Sequence, residues 1–450
     1  MASSNGRPAA ALPPGPRGPA MLHTFIWAFA PTWLMDRCAS SLGEAFTLTF
    51  APSGIQLVFV SDPQAVKDVM TAPAEVAPSG AADSPVAPVM GPSSVVVLTG
   101  PEHMRQRKLL LPPFHGERMR EYEDTIVAAT RAELGRFPLG TPMRIQPSTR
   151  RITLEVILRA VFGVEAERME PLRRAIGELL EPGHTLLLLR VALSRRRDSV
   201  PLAQFAAALE RLDRLLYAEI ALRREQADLG SRADILSLLL QARDEEGQPM
   251  SDSELRDELV TLLLAGHETT STSVAWALER LVRHPAKLER LVSEIDEGES
   301  DEYMEAVVNE TLRIRPVVPI VVRVLTAELR VGGMVLPAGT RVAPCIYLTN
   351  RNPRVYEDPA AFRPERFLQA PPETFSWIPF GGGIRRCIGA SFAQFEMGVI
   401  LRTLLSELHP SRPRGPLWRR GEWIRRRAVT LVPAGGGRLV WERRRDRPGD

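Results

Sequence analysis

The feature that most constrains the fold is one long helical run in the second half of the chain. Ser251 and Glu254 have the spacing of a capping box, in which each side chain satisfies an exposed amide of the other, and the pattern runs to His284 before Pro285. At 1.5 Å per residue this rod is about 45–50 Å long, enough to cross an entire domain. Helical patterning dominates from about residue 101 to 313. Leu154, Leu158 and Val161 mark one face, and "LAQFAAALERLDRLLYAEIALRRE" (202–225) is apolar on one side and Arg/Glu-rich on the other.

Strand signals lie at the two ends. "FTLTF" (46–50) and "IQLVFVS" (55–61) predict a hairpin, and Asp62-Pro63 supplies the N-cap and first turn of a short helix. A Gly332-Gly333 turn sits in "ELRVGGMVL", and "RAVTLVPAGGGRLVWE" is strand-like again. The expected class is therefore mainly α with small β-sheets (α+β). The strands should pair into one minor β region beside a single large helical domain, residues 20–442. A flexible Pro/Ala-rich N-terminus (1–19) and a charged tail (443–450) flank it. Residues 72–99 read as a long loop, and the apolar connection 182–200 as either a core helix or a substrate lid.

Composition removes several function classes. With 57 basic and 54 acidic residues the net charge is only +3, which argues against a nucleic-acid binder. Cys38, Cys345 and Cys387 suit neither a disulfide framework nor a four-cysteine metal site, so a reducing cytoplasm is the expected setting. The seven histidines show no metal-site spacing, so any metal must be held by few protein ligands. "MLHTFIWAFAPTWLM" (21–35) is apolar but falls short of the roughly 20 residues of a membrane span; a membrane-touching segment is the alternative reading.

The loop "PFGGGIRRCIGA" (379–390) places Cys387 beside two arginines and after three glycines. Ala393, Met397, Ile400, Leu404 and Leu408 then recur at helical spacing, so the cysteine sits near a helix N-terminus. Helix dipole and arginine charge are both expected to lower the thiol pKa. The glycines are expected to let the loop lie flat against a planar ligand. A nucleophile, a redox thiol and a metal ligand remain open on these grounds, with an inert buried thiol as the bland alternative.

The spacing F-x-x-G-x-R-x-C-x-G, met at Phe380, Gly383, Arg385, Cys387 and Gly389, resembles the haem-thiolate loop of the cytochrome P450 family. The resemblance implies haem b (iron protoporphyrin IX) as cofactor, Cys387 as iron ligand, Arg385 on a haem propionate and Phe380 packed beside the thiolate. Within the long helix, "AGHETT" (265–270) is similar to the family's oxygen-activation segment. There Ala265 and Gly266 would face the haem, and Glu268 and Thr269 would relay protons. Thr269 can turn its hydroxyl to the Ala265 carbonyl, opening a groove with Gly266. His267, out of that register, reads as structural.

Three further segments follow the family order. Glu310 and Arg313 in "ETLR", followed by Arg366 in "FRPERF", look like its buried ion network. His103 and Arg107, one helical turn apart, with Arg323, match its haem-propionate donors. A short "DEGESDEYMEAVV" (296–308) replaces a connection that is longer in many relatives.

The implied activity inserts one oxygen atom of O2 into a hydrophobic substrate, by hydroxylation or epoxidation. A fatty acid, terpenoid, steroid or polyketide is the expected class, contacted by Leu262, Ala265, Val318, Ile320 and Val321. Electrons would come from a ferredoxin with its NAD(P)H-dependent reductase, or a flavodoxin, docked on Arg105, Lys108, Arg385 and Arg386. The same residues also admit a peroxygenase or isomerase, or a haem sensor or carrier without turnover. The presence of both Glu268 and Thr269 favours O2 activation.

Overall fold

A computed structural model describes residues 12–79, 87–114, 118–163, 166–179, 203–415 and 420–444. The apolar connection 182–200 and the tail beyond 444 lie outside the described residues.

The long helix spans Asp252–Leu281. Its capping box is formed as expected: the Glu254 amide donates to Ser251 Oγ at 3.2 Å, and the Ser251 amide donates to Glu254 Oε2 at 2.7 Å. It stops short of the expected His284, which instead precedes the next helix, Pro285–Glu297. Three residues at most separate these two rods, so the sequence signal merged a turn with the helix before it. The following helix, Glu302–Ile314, begins after a short link because the Glu294 carboxylate accepts the Tyr303 and Met304 amides, at 2.6 and 2.8 Å.

Several helices pack along the long one. Gln146–Phe162 crosses it, with Thr149 Oγ1 donating to the Ser271 carbonyl at 2.9 Å and Thr153 Oγ1 to the His267 carbonyl at 3.0 Å. Gly266 lies at this crossing: a Cβ there would meet Ile157 Cδ1 at 3.2 Å. The glycine therefore admits the neighbouring helix. Ala390–Glu407, which follows Cys387, packs on another side, and its Met397, Ile400 and Leu404 join the largest apolar cluster as the periodicity predicts.

Among the described residues the strands form four separate sheets, where one minor β region was expected. The first joins β1 (Ala45–Phe50), β2 (Ile55–Val60), β4 (Arg323–Val324) and β7 (Arg341–Pro344) in the order β1-β2-β7-β4. Only its β2–β7 pair is parallel. β3 (Pro142–Arg144), β11 (Arg438–Arg443) and β8 (Leu408–Ser411) form the second, in the order β3-β11-β8. The hairpins β5–β6 (Leu329–Val331, Met334–Leu336) and β9–β10 (Ile424–Arg427, Thr430–Pro433) stand alone. The C-terminal strands meet the helical layer: Trp276 of the long helix donates Nε1–H to the Leu431 carbonyl at 3.1 Å. Part of the N-terminal stretch expected to be flexible is held against β1, where Thr47 donates to the Pro14 carbonyl at 3.0 Å and to that of Pro13 at 2.6 Å. No described helix is long and apolar enough to cross a membrane.

Ser251→Ala should lower the unfolding free energy by about 1 kcal/mol, and Ser251→Asp should retain it. Urea denaturation of both variants checks this; equal losses would remove the capping box as the start signal.

Candidate active site

The cysteine loop is a tight reversal. The Cys387 amide donates to the Phe380 carbonyl at 2.9 Å and the Arg386 amide to that of Gly383 at 3.1 Å. Gly383 has φ +64°, and an added Cβ would sit 2.0 Å from the Met70 carbonyl oxygen; one on Gly382 would sit 2.6 Å from Met70 Sδ. Gly382 and Gly383 make room for the Pro63–Met70 helix. Gly389 is different, with nothing within 4 Å of an added Cβ. The Phe380 ring stands edge-on to Trp377 at 6.0 Å, and Trp377 is fixed by donating to the Asn309 carbonyl at 3.2 Å.

Cys387 is open to water on one side and crowded by protein on the others. Burial pushes its thiol pKa up, against the Gly389 amide and the charges of Arg386 and Arg107. The expected lowering is thus reversed: the cost of desolvating a thiolate exceeds what the amide and arginines return. Arg385 contributes little to this balance because it turns away, donating to the carbonyls of Val95, Val96 and Leu98.

Four basic donors from three segments converge near this loop. His103 and Arg107 sit one turn apart on the Gly100–Leu110 helix, Arg323 opens β4, and Arg385 precedes the cysteine. Burial, then Arg385, Arg107 and Arg323, push His103 down to about 4. Burial, then Arg323 and Arg107, push Arg385 down to about 10. Among the described residues no carboxylate pairs with Arg107, Arg323 or Arg385, and buried His103 Nδ1 has no hydrogen-bond partner. Such a set is suited to an anionic group presenting carboxylates, and the propionates of haem fit it.

On the long helix, the stretch around Ala265 is accessible although most of the rod is buried. Thr269 Oγ1 donates to the Ala265 carbonyl at 2.6 Å, as expected. Glu268 accepts from Arg150 at 2.6 Å and lies 3.7 Å from Arg427 at the end of β9. Burial raises its pKa, with Arg150 opposing. His267 turns away from this face: its Nδ1 meets Thr153 Oγ1 at 3.1 Å, and burial, then Arg150, push it down to about 3.

Sequence reasoning missed Glu396. It lies nine residues beyond Cys387, fully buried, and hydrogen-bonds Thr270 beside Thr269; its Oε1 has no partner. The Ala390–Glu407 helix thereby links the cysteine loop to the Thr269 segment. A lone acid in the mostly apolar row "FAQFEMGVIL" was the available signal.

Glu310 and Arg313 are both fully buried and joined twice, at 2.6 and 2.8 Å. Arg366 Nε approaches Glu310 at 3.1 Å, and the Arg363 amide donates to it at 2.7 Å. Arg313 further donates to the carbonyls of Asn350, Pro359 and Ala361, at 2.9, 2.9 and 3.1 Å. Of the residues expected to face substrate, Leu262 and Ala265 lie on the accessible stretch. Val318 and Val321 pack against the cluster containing Met70 and Ile378, whereas Ile320 packs into a different cluster with Leu34 and Met35. Ile320 is thus part of the apolar packing beneath the N-terminal helices.

A mainly helical fold with four basic donors near one open thiol suits a ligand that bears carboxylates. Known proteins make the class particular. The sequence matches the Cytochrome P450 family profile over residues 13–419. It is 39% identical over 450 residues to cytochrome P450 135B1 of Mycobacterium tuberculosis, covering 98% of this chain and 94% of that protein. It is 40% identical over 434 residues to cytochrome P450 137 of the same organism, covering 95% and 90%. In fold it is similar to the retinoic acid-bound cyanobacterial CYP120A1, at TM-score 0.83 and 23% identity over 97% of this chain and all of that one. The haem domain of cytochrome P450DA superposes at TM-score 0.82 and 23% identity, covering 97% and 98%. The chain belongs to the cytochrome P450 family of haem-thiolate monooxygenases, and haem is the family's cofactor.

Glu310→Ala should destabilise the protein by about 3–5 kcal/mol, because it leaves Arg313 buried and unpaired; denaturant midpoints measure this, and a loss under about 1 kcal/mol would make the pair dispensable. Burial raises Glu396 from its ordinary value to about 8. Its folded form therefore holds a proton that the unfolded chain releases, so stability falls as pH rises from about 4.5 to about 8. Unfolding curves across this range should show a shallower decline for Glu396→Gln; an unchanged slope would contradict the assignment.

Proposed function

We propose that the protein is a monooxygenase that inserts one atom of O2 into a hydrophobic substrate, with Cys387 as the residue that would bind haem iron through its thiolate. The observation that carries this reading is the convergence of His103, Arg107, Arg323 and Arg385, without paired carboxylates among the described residues, around the loop that presents an open thiol. Haem bound through a thiolate supplies O2 activation and oxygen-atom transfer.

The protein's own residues divide the remaining work. The four basic donors hold the propionates, while Phe380, fixed by Trp377, shields the thiolate side. Gly389 leaves that side open for the ligand. Thr269 offers its oxygen lone pairs to a proton donor while its own proton is held by the Ala265 carbonyl. Glu268, one residue earlier and tied to Arg150, carries protons from the outer side of the helix. The Glu310, Arg313 and Arg366 network fixes the loops behind the cysteine and takes no part in chemistry. Leu262, Ala265, Val318 and Val321 give the substrate space an apolar lining, which suits a fatty acid, terpenoid, steroid or polyketide.

Electrons come from a separate ferredoxin and its NAD(P)H-dependent reductase, or a flavodoxin. Of the expected docking residues, Arg105 is occupied by Asp244 and Glu254, and Lys108 by Glu245 in an exposed pair. Exposed Arg386 is left as the main contact for an acidic partner. A reducing cytoplasm is the setting that suits three cysteines so far apart in the sequence.

The reduced carbon monoxide adduct should show the strongly red-shifted Soret band of thiolate ligation, and Cys387→Ser should abolish it; a retained band would reject Cys387 as ligand. Thr269→Ala should keep that band yet lower product formed per O2 by about tenfold or more, with peroxide released instead. Unchanged coupling would reject Thr269 as part of the relay.

A further inference from the structure

The segment Val89–Leu98, just before the His103 helix, is gripped along both edges by side chains. One edge faces the first turns of the long helix. The Ser93 amide donates to Asp257 Oδ2 at 2.8 Å, and the Val95 amide to Glu258 Oε1 at 2.7 Å. Ser94 Oγ and Thr261 Oγ1 are 2.7 Å apart. Asp257 is itself held by Arg256 at 2.8 Å, and Arg256 also reaches the carbonyls of Val89 and Met90, both at 3.4 Å. At Gly91, φ +91°, the backbone presses so closely on this helix that a Cβ would lie 2.1 Å from Asp257 Oδ1. The other edge faces the cysteine loop, where Arg385 donates to the carbonyls of Val95, Val96 and Leu98.

The residue Val95 is therefore held at both ends, its N–H by Glu258 and its C=O by Arg385. A guanidinium has five N–H donors. The three bonds to the segment leave Arg385 a fork of two with which to hold a carboxylate.

We propose that Asp257, Glu258 and Thr261 are positioning residues for haem retention: through the strap Val89–Leu98 they set the place of Arg385 and hence its grip on a propionate. This rests on the reading of Arg385 as a propionate donor. None of the three needs to touch the cofactor, and the strap is the only path the proposal requires. The coupling is reciprocal, because whatever free energy the strap lends to Arg385, Arg385 returns to the strap. Glu258 is fully buried, its Oε2 has no partner, and burial with Asp257 and Glu254 nearby pushes it up to about 8. At neutral pH it holds the strap mainly as a neutral acceptor, so glutamine is a close mimic.

The test follows haem transfer from the holoprotein to excess apomyoglobin, a readout independent of turnover. Glu258→Ala should speed haem loss by about fivefold or more, the lower range of measured couplings, and Glu258→Gln should stay near wild type. Thr261→Val, a milder change, should give a smaller increase in the same direction and keeps the test open where Glu258→Ala fails to fold. In the double variant Glu258→Ala/Arg385→Ala the two effects should combine to less than the product of the single ones. Hydrogen exchange at Ser93 and Val95 should quicken in Arg385→Ala. If Glu258→Ala and Thr261→Val quicken exchange in the strap yet leave haem loss unchanged, or if the double variant is fully multiplicative, the coupling is refuted. If Arg385→Ala itself does not alter haem loss, the assignment of Arg385 to a propionate fails instead.

Discussion

The structure depends on the burial of the Asp252–Leu281 helix along most of its length. A buried rod obliges each polar group on it to find a partner in whatever packs there, or to bear a cost of roughly 1–3 kcal/mol. The long helix meets this demand by recruiting a different segment at each level. Asp257, Glu258 and Thr261 take the strap before the His103 helix. His267 and Ser271 take Thr153 and Thr149 of the crossing helix, and Trp276 takes the Leu431 carbonyl. Where the helix is accessible, around Ala265, it bears the residues assigned to chemistry. One element thus aligns the strap, the Glu268 and Thr269 pair and the last hairpin by satisfying its own hydrogen bonds.

Much of this was legible in the sequence because it is written in local patterns. The capping box at Ser251, the N-cap at Asp62 and the apolar spacing after Cys387 each depend on residues within a few positions, and all appear in the structure. The turn at Gly332-Gly333 also forms, both residues with positive φ. Pairing of the strands was less legible. β7 joins β2 in parallel across most of the chain, and β11 reaches back to β3, choices set by helix packing and not by strand composition.

The cysteine loop shows where a local reading goes wrong. Its glycines mark a close approach, but composition cannot say to what, and the answer is Met70, more than 300 residues earlier. Arginines at 385 and 386 suggested a lowered thiol pKa because sequence gives proximity without direction. Arg385 points to the strap, leaving desolvation to dominate. Glu396 was passed over for a related reason. An acid in an apolar helical row acquires meaning only when its partner, Thr270, arrives from another helix.

The acids on and beside the long helix show how far environment outweighs residue type. Glu258 and Glu396 have no arginine as a hydrogen-bond partner, and burial raises each to about 8. Glu279 is also buried but lies among Arg280, Arg283 and the Glu422 amide, and its pKa is lowered. Glu268 falls between: burial raises it, while Arg150 holds it at 2.6 Å and Arg427 stands at 3.7 Å. A structural acid is best served by one extreme, a fixed neutral acceptor or a firm ion pair. An acid that must both bind and release protons needs opposing influences of similar size, since either alone would lock its charge. Of these four, Glu268 alone combines that balance with a place beside Thr269 on the accessible stretch. Burial opposed by arginines from two other elements is the environment that supports its proposed role in proton transfer.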